Sequence, residues 1–216
     1  AGEVDYINDY MFPKDDYKRL AANPEFTIKT DVSFTGDDLL IFNLRNKPLD
    51  DPRLRRAIFT AINRQQIVDQ VFNGLATPGK SAIGPAIAWA YNPNVDYDKL
   101  YPYDPEKAKQ MLDEAGYVAG SNGVRLQLRL VYDPARPGFQ AFANIIRDNL
   151  KDVGIDVTLV GVERQVMLDQ VFRKHDFDLT LQSYATNGDP TAGIERLYVT
   201  SSIGTNPFNN ASAYSN

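Results

Sequence analysis

Nucleophilic, acid–base or metal chemistry draws on cysteine, histidine and closely spaced carboxylates. This 216-residue sequence has no cysteine, one histidine (His175) and the carboxylate pairs Asp15–Asp16, Asp37–Asp38 and Asp50–Asp51. Zero cysteines remove disulfides, thiolate zinc sites, iron–sulfur clusters and Cys nucleophiles. His175 stands between Lys174 and Asp176, with no Ser, Cys or second His at a readable spacing. It reads as a polar turn residue rather than a general base. The Asp pairs could serve acid–base or Ca²⁺ work, but Asp is expected at turns and helix starts for capping and macrodipole reasons, and each pair is assigned to such a place. The stretch Asp133-Pro134-Ala135-Arg136-Pro137-Gly138 has one glycine and two prolines, too few free N–H groups to cradle a pyrophosphate. No Gly-x-Ser-x-Gly element is present, and the sequence predicts no cofactor, no metal and no catalytic residue.

Aromatic side chains outside the periodic segments are the remaining candidates. Trp89, Tyr91, Tyr97, Tyr101 and Tyr103 fall in one long stretch and Tyr184 stands at a strand end. They either cover core edges or form a stacking surface for an organic ligand, and composition does not separate the two. Lys and Arg number 23 against 28 Asp and Glu, a net charge of −5 with no basic run. That excludes a phosphate-tracking face, so no nucleic-acid partner is expected. No apolar run approaches the roughly 20 residues of a membrane span. Residues 1–5 carry no basic or apolar leader, so any secretion signal is expected outside this sequence.

The elements that must position these residues are legible in part. Ala1–Ile7 and Asp15–Ala22 read as short helical pieces, and Phe26–Val32 and Leu39–Leu44 as strands. Asp51-Pro52 opens a helix with the stripe Leu54, Ile58, Ala61, Ile62, and Asn63 with Gln66 forms a capping box for a second, ending at Gly74. Residues 75–103 read as a loop, functional or packed across another surface. Asp104-Pro105 starts a third helix that Gly116 stops. Strand Val124–Tyr132, helix Phe139–Val153 and strand Ile155–Val162 make a βαβ unit. Helix Gln165–Arg173 then leads to strand Phe177–Tyr184, and residues 199–216 end without a closing element, as a truncated fold would. The whole reads as one α/β unit.

The run Asn43-Leu44-Arg45-Asn46-Lys47-Pro48-Leu49-Asp50-Asp51-Pro52-Arg53-Leu54-Arg55-Arg56-Ala57-Ile58, then Ala61-Ile62-Asn63-Arg64, resembles the peptide-type extracytoplasmic solute-binding proteins of ABC importers, solute-binding family 5. Val71–Gly74, Tyr101–Lys109, Asp113–Tyr117, Leu150–Ile155, Phe177–Leu179 and Gly188-Asp189-Pro190 extend the resemblance along the chain in order.

The resemblance implies a periplasmic-binding-protein-like lobe, a mixed sheet with flanking helices. It makes residues 1–216 the second of two hinged lobes, with the first lobe and a C-terminal return segment lying elsewhere. It further implies an extracytoplasmic protein that holds a peptide or other small organic ligand and hands it to an ABC permease in the membrane. Members present a strand edge to the ligand main chain and an Asp to its α-amino group. Here the matching stretch is Ser183-Tyr184-Ala185-Thr186-Asn187, with Thr186 in the place of that Asp and Tyr184 where an aromatic is usual. The candidate ligand residues are therefore Ser183, Tyr184, Ala185, Thr186 and Asn187, joined by Trp89 and Tyr91. The competing expectations are a lobe of an extracytoplasmic enzyme and a docking module without a small ligand.

Overall fold

The computed structural model describes residues 5–7, 16–30, 36–185 and 188–215. Four strands form one sheet: β1 (Asp37–Phe42), β2 (Leu126–Tyr132), β3 (Ile155–Gly161) and β4 (Leu179–Tyr184), in the order β1-β4-β2-β3. β2 runs parallel to β3 and β4, while β1 is antiparallel to β4. Around them lie α1 (Tyr17–Ala21), α2 (Pro52–Ala61), α3 (Arg64–Val71), α4 (Tyr97–Leu100), α5 (Pro105–Glu114), α6 (Phe139–Asp152), α7 (Arg164–Leu168) and α8 (Pro190–Gly193).

Crossover handedness accounts for the strand order. α6 covers one face of the sheet, and α7 with the π-turn Asp169–Arg173 covers the other. Right-handed connections over opposite faces travel in opposite directions, so the chain steps from β2 to β3 and then back past β2 to β4. Side-chain alternation sorts the two cores. Leu40, Phe42, Leu128, Leu130, Leu179 and Leu181 meet α2, α3, α5 and α6 on the first face. Ile41, Val131 and Val160 meet Met167, Val171, Phe172 and Phe208 on the second. With both faces covered, β4 is buried over most of its length, and its polar members are satisfied internally: Thr180 Oγ1 donates to Val131 O (2.8 Å) and Gln182 Nε2 to Thr180 Oγ1 (3.0 Å).

The Asp51 and Asp104 caps form as expected, and Asp189 caps α8 in the same way. Asp51, Asp104 and Asp189 accept hydrogen bonds from the backbone N–H of Arg53, Lys107 and Thr191 (2.8, 2.8 and 2.9 Å). The box at α3 closes differently. Asn63 Oδ1 takes the Gln66 N–H (2.9 Å), but the Asn63 N–H donates to Asn149 Oδ1 (2.9 Å) on α6, whose Nδ2 also reaches Gln66 Oε1 (3.3 Å). A tertiary contact thus replaces the local half of the box and fastens α3 to α6.

Other expectations are corrected. Residues 26–30 form no strand: the Phe26, Ile28 alternation finds no neighbouring strand among the described residues, and Phe26 is 52% exposed. An unpaired strand has nothing to hold it. Residues 31 and 32 lie outside the described residues. Residues 5–7 are not helical, with Tyr6 82% exposed, because a stretch this short forms no helix without a packed face. Residues 1–4 lie outside the described set. Asp37 and Asp38 occupy no turn; they open β1. The expected helix 165–173 is α7 followed by the π-turn.

Residues 199–215 contain little regular structure but are tied down. Leu44 N–H donates to Ser212 O (2.9 Å) and Arg45 Nη1 to Ala211 O (2.9 Å). Asn210, 1% exposed, donates through Nδ2 to Val199 O and Tyr214 O while its Oδ1 accepts from Ser212 Oγ and the Tyr214 N–H. A side-chain amide here does the work that a backbone ladder does elsewhere.

Candidate functional site

Because β1 runs against its neighbours, its first residues lie at the same edge of the sheet as the carboxyl ends of β2, β3 and β4. Four chain segments therefore meet there: Gly36–Asp38, Asp133–Gly138, Val162–Arg164 and Tyr184–Ala185. In open α/β sheets this is the edge where ligands bind.

Register assigns the side chains. Asp37 stands opposite Tyr184 and Asp38 opposite Ser183, and directly opposed residues share a face. Asp38 therefore lies on the α6 face, where Arg136 Nη2 reaches its Oδ1 at 3.3 Å and the Arg136 guanidinium covers the Phe139 ring at 4.6 Å. Asp37 lies on the opposite face with Tyr184. Burial and the neighbouring Asp38 raise the proton affinity of the Asp37 carboxyl.

Tyr184 is 2% exposed, its ring 6.2 Å from Phe208 and 5.8 Å from the Arg196 guanidinium. Its hydroxyl has no hydrogen-bond partner among the described residues, and burial pushes the phenol pKa up. Arg196 Nε donates to Gly193 O at 3.2 Å. Tyr198 completes the corner. The residue is 44% exposed, while burial, with Tyr97 and Asp37 after it, pushes its pKa up to about 12. An unmade hydrogen bond at a buried hydroxyl is a standing cost of about 1–3 kcal/mol. Tyr184→Phe is therefore expected to leave the folded lobe as stable or about 1 kcal/mol more stable in a urea titration. A loss above about 1 kcal/mol would show that the hydroxyl is satisfied in solution.

The sequence-derived ligand residues divide. Ser183 is half-buried, Ala185 is exposed, and Thr186 and Asn187 lie outside the described residues. β4 is an interior strand: β1 covers one side from end to end, and β2 pairs with it only at Leu179 and Thr180. The side of Leu181–Tyr184 turned toward Asp133–Gly138 therefore runs beyond the last β2 pair, and β1 and β3 are the marginal strands of the sheet. Trp89 is 73% exposed and Tyr91 half-buried; neither shares with Tyr184 the ring contacts made by Phe208 and Arg196.

Two other loop aromatics have a packing role. Phe59 meets Tyr97 and Tyr101 edge-on at 5.9 and 5.8 Å, with the Arg64 guanidinium 4.4 Å from its ring. Arg64 also binds Gly79 O (2.9 Å) and pairs with Asp98, fastening the 75–103 loop to α3.

The sequence singles out neither Arg196 nor Tyr198, which stand at this corner with Asp37; the Asp37–Asp38 pair is the one signal it carries, and it points to a turn. His175 sits in a left-handed turn (φ 54°), its Nδ1 3.2 Å from Val171 O and its carbonyl accepting from Asn43. Burial and then Arg45 lower its pKa, which suits a packed structural residue. Among the described residues, no cluster of three or more His, Asp or Glu is arranged to hold a metal, and no helix is long and apolar enough to cross a membrane.

Residues 1–205 match the profile of the bacterial extracellular solute-binding proteins, family 5, middle region. Heme-binding protein A of Haemophilus influenzae is 31% identical over 98% of this chain and 38% of its own length. The dipeptide-binding protein of Escherichia coli is 32% identical over 74% of this chain and 29% of its length. The oligopeptide-binding protein AppA of Bacillus subtilis, solved with a nonapeptide, superposes with a TM-score of 0.80 at 26% identity, covering 94% of this chain and 41% of its own. The chain thus spans well under half the length of these relatives.

Proposed function

Since the chain belongs to the bacterial extracellular solute-binding proteins of family 5, we propose that it is one ligand-binding lobe of an extracytoplasmic receptor that carries a peptide-like solute to an ABC permease. The observation that carries this reading is the superposition on peptide-bound AppA, at a TM-score of 0.80 over 94% of the chain. The edge geometry supports it. A binding lobe needs main-chain groups that accept an extended ligand and side chains that fix its ends, and the stretch of β4 beyond its β2 pairs stands beside Asp37, Ser183 and Tyr184. In this reading the lobe does no chemistry; it closes on a solute against a second lobe and opens at the membrane. Ser183, Tyr184, Ala185, Thr186 and Asn187 line the ligand, with Trp89 and Tyr91 as the aromatic contributors from the long loop.

Native mass spectrometry of the full-length protein purified from its host tests the reading. The expected spectrum shows a bound species of peptide mass that leaves on denaturation. A ligand-free spectrum, together with no thermal stabilisation by a mixture of short peptides, overturns it. Thr186→Asp in the same protein is expected to raise affinity for peptides with a free amino terminus about tenfold, since a charge-assisted bond replaces a neutral one worth about 1 kcal/mol. Calorimetry reads the difference.

A further inference from the structure

Between Ser202 and Asn210 the chain makes a short excursion that one ring fastens to the body. Both ends are pinned: the Asn210 N–H donates to Ser202 O (3.3 Å) and Asn210 Nδ2 to Val199 O (3.2 Å). Within residues 203–209 the backbone bonds are local, from Ile203 N–H to Thr200 O (3.0 Å), Asn209 N–H to Asn206 O (3.4 Å) and Ala211 N–H to Asn209 O (2.8 Å). Residues 204–207 are exposed, and among the described residues no side-chain hydrogen bond or ion pair ties 203–209 to the rest of the fold. What holds the excursion is Phe208, whose ring lies 5.5 Å from Phe172, 6.2 Å from Tyr184 and 5.7 Å from the Arg164 guanidinium.

That ring is held at a backbone cost. Asn206–Asn209 is a turn with Pro207 at its second residue and Phe208, at φ 64°, at its third. Proline fixes a negative φ at the second place, so this is the type II arrangement, whose third place belongs to Gly or Asn. A bulky side chain at positive φ is strained and persists only where its surroundings hold it. Ala213, past the pin at Asn210, is left-handed as well (φ 59°). Against the Phe208 ring lies another cost, Tyr184, whose buried hydroxyl has no partner among the described residues. Swinging residues 203–209 outward about Ser202 and Asn210 relaxes Phe208 and wets that hydroxyl, at the loss of the ring contacts. A segment held by one ring against such costs opens locally, without the rest of the fold.

We infer that residues 203–209 are a hinged flap that clamps the Tyr184 end of β4. Shut, as in this structure, Phe208 backs Tyr184 and fixes the end of the strand; open, that end is unsupported and Tyr184 meets water. The Tyr184 end of β4 lies at the ligand edge beside the start of β1. A solute held there therefore favours the shut flap, and by reciprocity the shut flap holds the solute more tightly. This regulation rests on the peptide-like ligand proposed above, whereas the motion itself does not.

Hydroxyl-radical labelling of the full-length protein, read residue by residue by mass spectrometry, tests the motion. Tyr184 and Phe177 are almost equally buried, 2% and 0% exposed, and of the two it is Tyr184 that meets the Phe208 ring. In the parent, Tyr184 is expected to label about fivefold faster than Phe177, because local opening outruns global unfolding. Phe208→Gly suits the turn and removes the ring, so it is expected to raise Tyr184 labelling about tenfold and leave Phe177 unchanged. Phe208→Asn, which also suits the turn, is expected to do the same. Equal labelling of Tyr184 and Phe177 in the parent, or no rise at Tyr184 in either variant, overturns the flap while the peptide reading stands. A rise at Phe177 as large as that at Tyr184 reports global unfolding and overturns it too. A chymotryptic digest of casein reads the regulation: both variants are expected to retain about fivefold less peptide than the parent. Variants that retain as much overturn the flap's hold on the solute. A parent that retains none overturns the peptide reading, and the labelling still decides the flap.

Discussion

Replacing Asn43 with Ala is expected to cost this lobe about 2 kcal/mol of stability, because the His175 carbonyl loses its side-chain donor and the Phe177 carbonyl is left with Asn46 Nδ2 alone (2.8 Å). Asn43 is fully buried; its Nδ2 donates to His175 O and Phe177 O, both at 2.9 Å, and its Oδ1 accepts from the Arg45 N–H and Nη1 at 3.3 and 3.4 Å. Arg45 in turn reaches Ala211 O. One amide therefore ties the end of β1 to the approach to β4 and, through Arg45, to residues 210–212. Urea unfolding of parent and variant reads the difference. A change below about 1 kcal/mol would mean that water replaces the amide without penalty.

Gly36→Val is expected to act on the ligand edge itself. A Cβ at Gly36 would stand 2.6 Å from the Tyr184 carbonyl oxygen and 3.4 Å from its carbon, contacts that backbone cannot relieve by a rotamer change. The start of β1 must swing away from β4, at a cost of about 2 kcal/mol, typical of forced overpacking. The end of β4 at Ser183 and Tyr184 loses its β1 pairing with it, so peptide affinity of the full-length protein should fall more than tenfold. Thermal melting and calorimetry together check this. A variant that melts lower but binds as the parent does would separate this edge from the ligand.

Local chemistry was readable in the sequence wherever one stretch of chain carried the whole signal. Asp51-Pro52 and Asp104-Pro105 hold their own caps within three residues, and α6 announces itself through Phe142, Ile145, Ile146 and Leu150, all facing the core. Non-local arrangements were not readable. The partners of Asn43 lie 132 and 134 residues away, and no periodicity marks such a pair. Asp37–Asp38 looked like a turn because Asp is favoured at turns and caps and depleted in strands; pairing with Tyr184 and Ser183 of β4 and the Arg136 contact override that preference. The position of β4 inside the sheet follows from two crossovers on opposite faces, which short-range reading of Leu181–Tyr184 does not contain. The loop aromatics separated only once Arg64 placed Tyr97 and Tyr101 on Phe59, leaving Trp89 outward.

The marginal position of β1 bears on how copies of this protein behave at high concentration. An outer strand offers its backbone to any passing strand, and proteins commonly blunt that invitation with charge. In-register parallel stacking of two β1 strands would set Asp37 and Asp38 against their own copies, and a stacked pair of β3 strands would do the same with exposed Asp156. The carboxylates that open β1 thus discourage self-assembly into sheets, so neutralising Asp37 trades colloidal safety for whatever stability the lost charge returns.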